Sequence, residues 1–260
     1  MIEINNLVTG YGKQRVLNRI NLKFQPGDFS GILGPNGAGK STLFRTLIRI
    51  IPVWKGSIRI LGRDLKIWDH KALARKLALI PQEMQLQFDY KVRDLILMGR
   101  FPYLGYFQNY SEKDHYIVEQ VMEQLDIKIF AEKIFSELSG GEKQRVSIAR
   151  ALVQKSDILL VDEAFSGLDI DHQLEFVRIL SGINRDQNKT IILISHNINL
   201  LADYCKRLLL LKNGEVIAEG IPTEIMTTQN LRKLYSETFP IIVNKNTGRP
   251  NMLYPGNNEI

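Results

Sequence analysis

The sequence predicts an α/β fold, a mainly parallel β-sheet covered on both faces by helices. Three observations carry that expectation. The runs Phe29-Ser30-Gly31-Ile32-Leu33, Ile158-Leu159-Leu160-Val161 and Ile191-Ile192-Leu193-Ile194 are short and largely apolar, as strands buried on both faces are. Apolar residues at helical spacing lie between strand runs, as in Leu174, Phe176, Val177, Ile179 and Leu180. The first run also leads through Gly34-Pro35-Asn36-Gly37-Ala38-Gly39-Lys40-Ser41-Thr42 into the helical run ending Leu43-Phe44-Arg45-Thr46-Leu47-Ile48, a strand–loop–helix unit.

The elements follow in order. Ile2, Ile4 and Leu7, then Val16, Leu17, Ile20, Leu22 and Phe24, give strand-like alternation closed by the turn Gln25-Pro26-Gly27-Asp28. Ser57-Ile58-Arg59-Ile60 and Leu77-Ala78-Leu79-Ile80 are further short strand runs. Residues 83–150 change to helical spacing, in Val92, Leu95 and Ile96 and again in Ile117, Val118, Val121, Met122 and Leu125. Ser111 caps the second of these helices, with Glu112 and Asp114 in its first turn. Arg207-Leu208-Leu209-Leu210-Leu211-Lys212, Asn213-Gly214 and Glu215-Val216-Ile217-Ala218 spell a hairpin. An α/β core over residues 1–85 and 156–240 is thus expected to enclose a helical insert at about 86–155, with 241–260 as a short C-terminal hairpin or tail.

Bulk properties set the limits. At 260 residues and 44% hydrophobic content the chain can bury one sizeable core, or a core plus a small lobe. No apolar stretch approaches the ~20 residues that span a bilayer, and the start Ile2-Glu3-Ile4-Asn5 lacks a leader pattern, so a cytosolic protein is expected unless a partner holds it at a membrane. Cys205 is the single cysteine, which excludes an intramolecular disulfide framework, and it reads as a packing residue. The net charge of +6 comes from scattered Lys and Arg without the interleaved aromatics that stack bases, so no nucleic-acid partner is expected.

Residues 34–42 carry chemistry. Glycines let the backbone turn so that successive N–H groups form a nest for phosphate oxygens, Lys40 adds a charge toward the β- and γ-phosphates, and the Ser41 hydroxyl suits Mg²⁺. The chain is therefore expected to bind a nucleoside triphosphate. Asp162 and Glu163 follow a buried strand at its carboxyl end, where open α/β sheets bind ligands. Two adjacent carboxylates can divide the work, Asp162 holding Mg²⁺ and Glu163 deprotonating an attacking water. Leu138-Ser139-Gly140-Gly141-Glu142 opens a further helix, with Ser139 as its cap and two glycines leaving N–H groups bare at the positive end of the dipole. One γ-phosphate needs two such surfaces only if they come from different subunits.

With these motifs in view the chain resembles the ATP-binding-cassette (ABC) ATPases. The resemblance implies a P-loop NTPase (RecA-like) core with an antiparallel β subdomain and a helical insert, binding ATP and Mg²⁺. It implies that Ser139, Gly140, Gly141 and Glu142 of one copy close over ATP held by residues 34–42 of the other. Tyr11 matches the aromatic that stacks on adenine. Gln82 matches the loop glutamine that contacts Mg²⁺ and water, His196 the switch histidine that reaches the γ-phosphate, and Asp169 the loop aspartate at the dimer interface. His70, His115 and His172 read as solvated helical residues. One departure is visible, because Ala164-Phe165 stands where the family has Pro-Thr, and Phe165 is expected to add bulk near the dimer seam.

Residues 97–105, 168–173 and 241–253 resemble the ABC importers of iron–siderophore complexes, haem and cobalamin. That resemblance implies a homodimer on integral membrane permease subunits, fed indirectly by a substrate-binding protein, at the cytoplasmic face of the membrane. Permease helices would sit near residues 83–110, where Phe101, Tyr103, Tyr106, Phe107 and Tyr110 are expected to be exposed. The alternative is a non-transport ABC ATPase, such as one serving iron–sulfur cluster assembly. A GTPase would need an Asn-Lys-x-Asp motif, which Asn244-Lys245-Asn246-Thr247 does not supply.

Overall fold

The computed structural model describes residues 1–84 and 86–255; the last five residues of the expected C-terminal hairpin or tail lie outside them. The chain packs as two compact units, Met1–Ile67 with the segment from Ser181 onward, and Trp68–Leu180.

The first unit is built on two main sheets. Strands Ile2–Tyr11, Gln14–Phe24 and Lys55–Ile60 are antiparallel, with Ile2–Tyr11 in the middle. The register places Ile2 opposite both Phe24 and Ile60, and Ile4 opposite both Leu22 and Ile58. All six side chains are buried, so the alternation of the sequence becomes one apolar face of cross-strand contacts. In the other sheet Phe29–Leu33 lies parallel between Thr190–Ile194 and Arg207–Lys212. Phe29–Leu33 and Thr190–Ile194 are buried at all of their positions, which is why the sequence shows runs there and not alternation. Glu215–Gly220 forms one edge of this sheet as the second arm of the expected hairpin, whose turn residues Asn213 and Gly214 both adopt positive φ.

Helix Ile198–Tyr204 in the same unit anchors the C-terminal segment, which forms the short hairpin Ile241–Val243 with Pro250–Met252. Asn199 holds it as a strand would: Met252 N donates to Asn199 Oδ1 (2.7 Å) and Asn199 Nδ2 donates to Met252 O (3.1 Å). Asp203 accepts from Thr247 Oγ1 at 2.7 Å. Cys205 is fully buried nearby, and burial pushes its thiol pKa up, which keeps it inert.

The second unit pairs strands Leu77–Ile80 and Ile158–Asp162 in parallel, with Ile80 opposite Val161. Around them lie helices Val92–Leu97, Glu112–Gln124 and Gly140–Val153 and the 3₁₀ turn Met98–Tyr103. Ser111 caps helix Glu112–Gln124 through a reciprocal pair with Asp114, the arrangement its sequence spells. The Asp114 carboxylate then reaches back to Arg100 (Nε to Oδ1, 2.7 Å), and Arg100 Nη1 donates to Val153 O at 2.8 Å. Tyr103 covers the guanidinium at 3.7 Å and donates its hydroxyl to Gln154 O at 3.0 Å. Three segments of this unit are tied together by one buried charge pair.

The aromatics of this unit divide. Phe101, Tyr106 and Phe107 are exposed, as expected. Tyr103 and Tyr110 are not: both are half-buried, Tyr103 because its ring is spent on Arg100.

Candidate functional site

In the first unit the carboxyl ends of two neighbouring strands carry two of the sequence motifs. Because Ile32 pairs with Ile194, the Gly34 loop and the Ser195-His196-Asn197 turn leave the sheet along the same edge. The loop is shaped by glycine: Gly37 and Gly39 have φ of 77° and 103°, values a side chain would strain. Helix Lys40–Leu47 begins directly after Gly39 and has no acidic residue in its first turn, so its own sequence leaves the positive end of its dipole to attract an anion. Lys40 is buried, its ammonium donating to Gly34 O (2.9 Å) and Pro35 O (3.2 Å). A positive charge is thereby pinned to the loop's own carbonyls beside the helix N-terminus, the parts of an anion cradle. Ser41 and Thr42 occupy the first helical turn, followed by Leu43, Phe44 and Leu47, whose complete burial fixes the helix against the sheet.

Tyr11 ends the first strand, 44% exposed, a flat apolar surface available to an aromatic ligand. Its hydroxyl accepts from Arg45 Nη1 at 3.1 Å, so the phosphate-loop helix orients the ring. His196 is exposed. Its turn is pinned on both sides: Asn197 N donates to Ser195 Oγ (3.0 Å), and Leu200 N donates to Asn197 Oδ1 (3.1 Å), capping the next helix.

In the second unit another strand-end edge gathers Gln82, Asp162 and Glu163, since Ile80 and Val161 are neighbours. Glu163 has φ of 50°, a left-handed turn that ends the strand and swings the next residues inward. Its carbonyl accepts from Ser166 N (3.0 Å) and Ser166 Oγ (2.8 Å), and Gln82 Nε2 donates to that same hydroxyl at 3.3 Å. Phe165 does not stand at the surface as expected. It is 1% exposed and packs on Phe176 with ring centroids 5.2 Å apart, because the turn at Glu163 directs Ala164 and Phe165 into the core.

Helix Gly140–Val153 opens as its sequence spells, Ser139 Oγ accepting from Glu142 N (3.4 Å) and Ser139 N donating to Glu142 Oε2 (2.7 Å). That bond to the Ser139 backbone N–H holds the Glu142 carboxyl below its ordinary pKa. Asp169 caps the start of helix Ile170–Gln187 by accepting from His172 N at 3.0 Å. His172, read from sequence as a solvated residue, is exposed but also bonds the Asp169 carboxylate through its ring; the Asp-x-x-His spacing at a helix start is the signal that marks it. The phosphate loop, Tyr11 and His196 thus belong to the first unit, and Gln82, Asp162, Glu163, Ser139–Glu142 and Asp169 to the second.

Residues 17–166 match the family described as ABC transporter. The chain belongs to that family. Like other ABC transporter ATP-binding subunits it is an ATPase coupled to transport. The ferric enterobactin transport ATP-binding protein FepC of Escherichia coli is 34% identical over 94% of this chain and 90% of its own length. Among solved structures, a metal-chelate type ABC transporter in an inward-facing conformation superposes with a TM-score of 0.84 at 27% identity, over 97% of this chain and 96% of the other. The dimeric ATP-binding cassette MJ0796 bound to ADP and phosphate superposes with a TM-score of 0.73 at 27% identity, over 85% of this chain and 98% of that one. The chain spans 57% of the length of one longer curated relative. No helix among the described residues is long and apolar enough to cross a membrane.

Proposed function

We propose that this ABC ATPase energises uptake of an iron chelate, working as a homodimer bound to membrane permease subunits at the cytoplasmic face. The observation that carries the reading is the presence, in one chain, of two anion-receptive turns: the Lys40 cradle and the capped glycine turn at Ser139. A single triphosphate needs both only when two copies face each other. FepC and the metal-chelate transporter supply the class of cargo.

In this reading Tyr11 stacks on adenine, residues Gly34–Thr42 wrap the phosphates, and Ser139, Gly140, Gly141 and Glu142 of the second copy close the other side. Asp169 faces the dimer seam. Mg²⁺ would be held by the oxygens of Ser41, Gln82 and Asp162, hard donors that suit a cation shared with phosphates. When bound, it would neutralise charge on the transferred phosphoryl group. Glu163 accepts the proton of the attacking water, His196 contacts the γ-phosphate, and Gln82 reports nucleotide state through Ser166 to the turn behind Glu163.

A groove of about 520 Å³ in the second unit, lined by Glu83, Met84, Leu86, Phe88, Tyr90 and Phe135 among others, suits a permease helix. ATP then closes the dimer because it binds the closed state better than the open one. The test is gentle detergent extraction and identification of the membrane protein that stays bound, followed by ATPase assays of the complex with ferric chelates. Stimulation by a ferric chelate supports the proposal. A chain that recovers no membrane protein and hydrolyses ATP at full rate alone overturns it.

A further inference from the structure

Two segments of the second unit that the proposed clamp uses across the dimer, the Ser139 turn and the Asp169 loop, touch each other within one copy. Both contacts run through the glycines. An ideal Cβ on Gly140 would stand 3.1 Å from Leu168 Cδ2, and one on Gly141 would stand 2.5 Å from His172 Cδ2 and 3.0 Å from His172 Nε2. The imidazole edge therefore rests against the helix tip, where a side chain at position 141 would push the ring aside. The other side of the same ring is bonded, with His172 Nδ1 2.7 Å from Asp169 Oδ1. An ionised carboxylate only accepts, so Nδ1 carries the proton of that bond.

Further contacts hold the ring in place. His172 N also donates to Asp169 Oδ1 (3.0 Å), and Gln173 Nε2 donates to Leu168 O (2.9 Å). One turn further along, Glu175 pairs with Arg145 of the Ser139 helix. The two helix starts are thus joined at two levels, an ion pair behind and the imidazole in front.

We infer that His172 is a positioning residue, one ring that fixes the Asp169 loop against the Ser139 turn so that both reach the second copy as a single surface. This deepens the proposed function and rests on it. In the proposed clamp His172 is not one of the residues that hold the nucleotide of its own copy. Its removal should therefore spare nucleotide binding to a monomer and weaken what two copies do together. The two trans-acting segments would otherwise be ordered separately on pairing, and that ordering opposes association.

The test compares His172→Ala and His172→Asn in the full-length chain carrying Glu163→Gln, which lets ATP-bound dimers accumulate. Sedimentation measures ATP-driven pairing, and equilibrium binding of a fluorescent ATP analogue to dilute monomer measures the cradle. The expected result is pairing weakened roughly tenfold by His172→Ala, with monomer affinity and melting temperature unchanged. His172→Asn should recover most of the loss, because its amide replaces the Nδ1 donor. Pairing of His172→Ala within twofold of its parent overturns the inference, as does a parallel loss of melting temperature and monomer affinity, which would make His172 merely structural. A parent that does not pair with ATP at all overturns the clamp itself, and the inference with it.

Discussion

Arg100 Nε and Asp114 Oδ1 lie 2.7 Å apart with both side chains buried, at 5% and 9% exposure. Burial by itself raises the Asp114 pKa, but the Ser111 hydroxyl and backbone N–H together with the Arg100 guanidinium overcome it and hold the carboxyl at about 2. The folded pKa is therefore depressed below the unfolded one. The stabilisation is complete above about pH 4 and is lost as the pH falls through about 2. Asp114→Asn leaves the Arg100 charge buried without a counter-charge and should cost roughly 3 kcal/mol. Urea unfolding at neutral pH and in acid checks both claims: the gap between wild type and variant is large at neutrality and narrows in acid. A constant gap across that range would place the stabilisation elsewhere.

Phe165→Thr, which installs the residue that the family resemblance leads one to expect at this position, should destabilise the chain. Phe165 fills core space against Phe176, and truncating a buried aromatic leaves a cavity worth about 3 kcal/mol or more. A melting temperature lowered by several degrees is expected, read by calorimetry. An unchanged one would mean that the core closes over the space.

These two cases show what the sequence could and could not say. Strand runs were legible because complete burial removes alternation, as at Thr190–Ile194, and helix starts because a cap and its partner lie three residues apart, as at Ser111–Asp114 and Ser139–Glu142. The phosphate loop was legible because its spacing is itself the geometry. Contacts between distant segments were not. Tyr103 reads as a surface aromatic until Arg100 and Gln154 are seen to claim its ring and hydroxyl. Phe165 reads as surface bulk because nothing in the sequence announces the left-handed turn at Glu163 that sends it inward. His172 reads as solvated because Gly141 is 31 residues away along the chain and only the fold brings it under the ring.

Glu163→Gln should lower hydrolysis at least a hundredfold, since a general base is worth about 10²–10⁴. The amide is nearly isosteric, and the bonds of the turn run from the Glu163 carbonyl to Ser166, so the loop should keep its form. ATP-dependent pairing should persist and be longer lived. Phosphate release and light scattering in the presence of ATP measure the two properties. Turnover at the wild-type rate would assign the base to another residue.

Tyr11 and Arg45 should act as a pair. Tyr11→Ala removes the stacking surface and should weaken ATP binding about tenfold, at the low end of the 1–3 kcal/mol that base stacking contributes. Tyr11→Phe keeps the ring but removes the acceptor for Arg45 Nη1. Arg45→Ala removes the donor, and each should cost only a few-fold in affinity, the scale of one exposed hydrogen bond. If the Arg45 contribution passes through the phenol, the double variant Tyr11→Phe/Arg45→Ala binds no worse than either single one, because the same bond cannot be lost twice. Calorimetric titration with a non-hydrolysable ATP analogue measures the wild type and the four variants. Fully additive losses would mean that Arg45 meets the nucleotide directly, and the hydroxyl bond would then be incidental to binding.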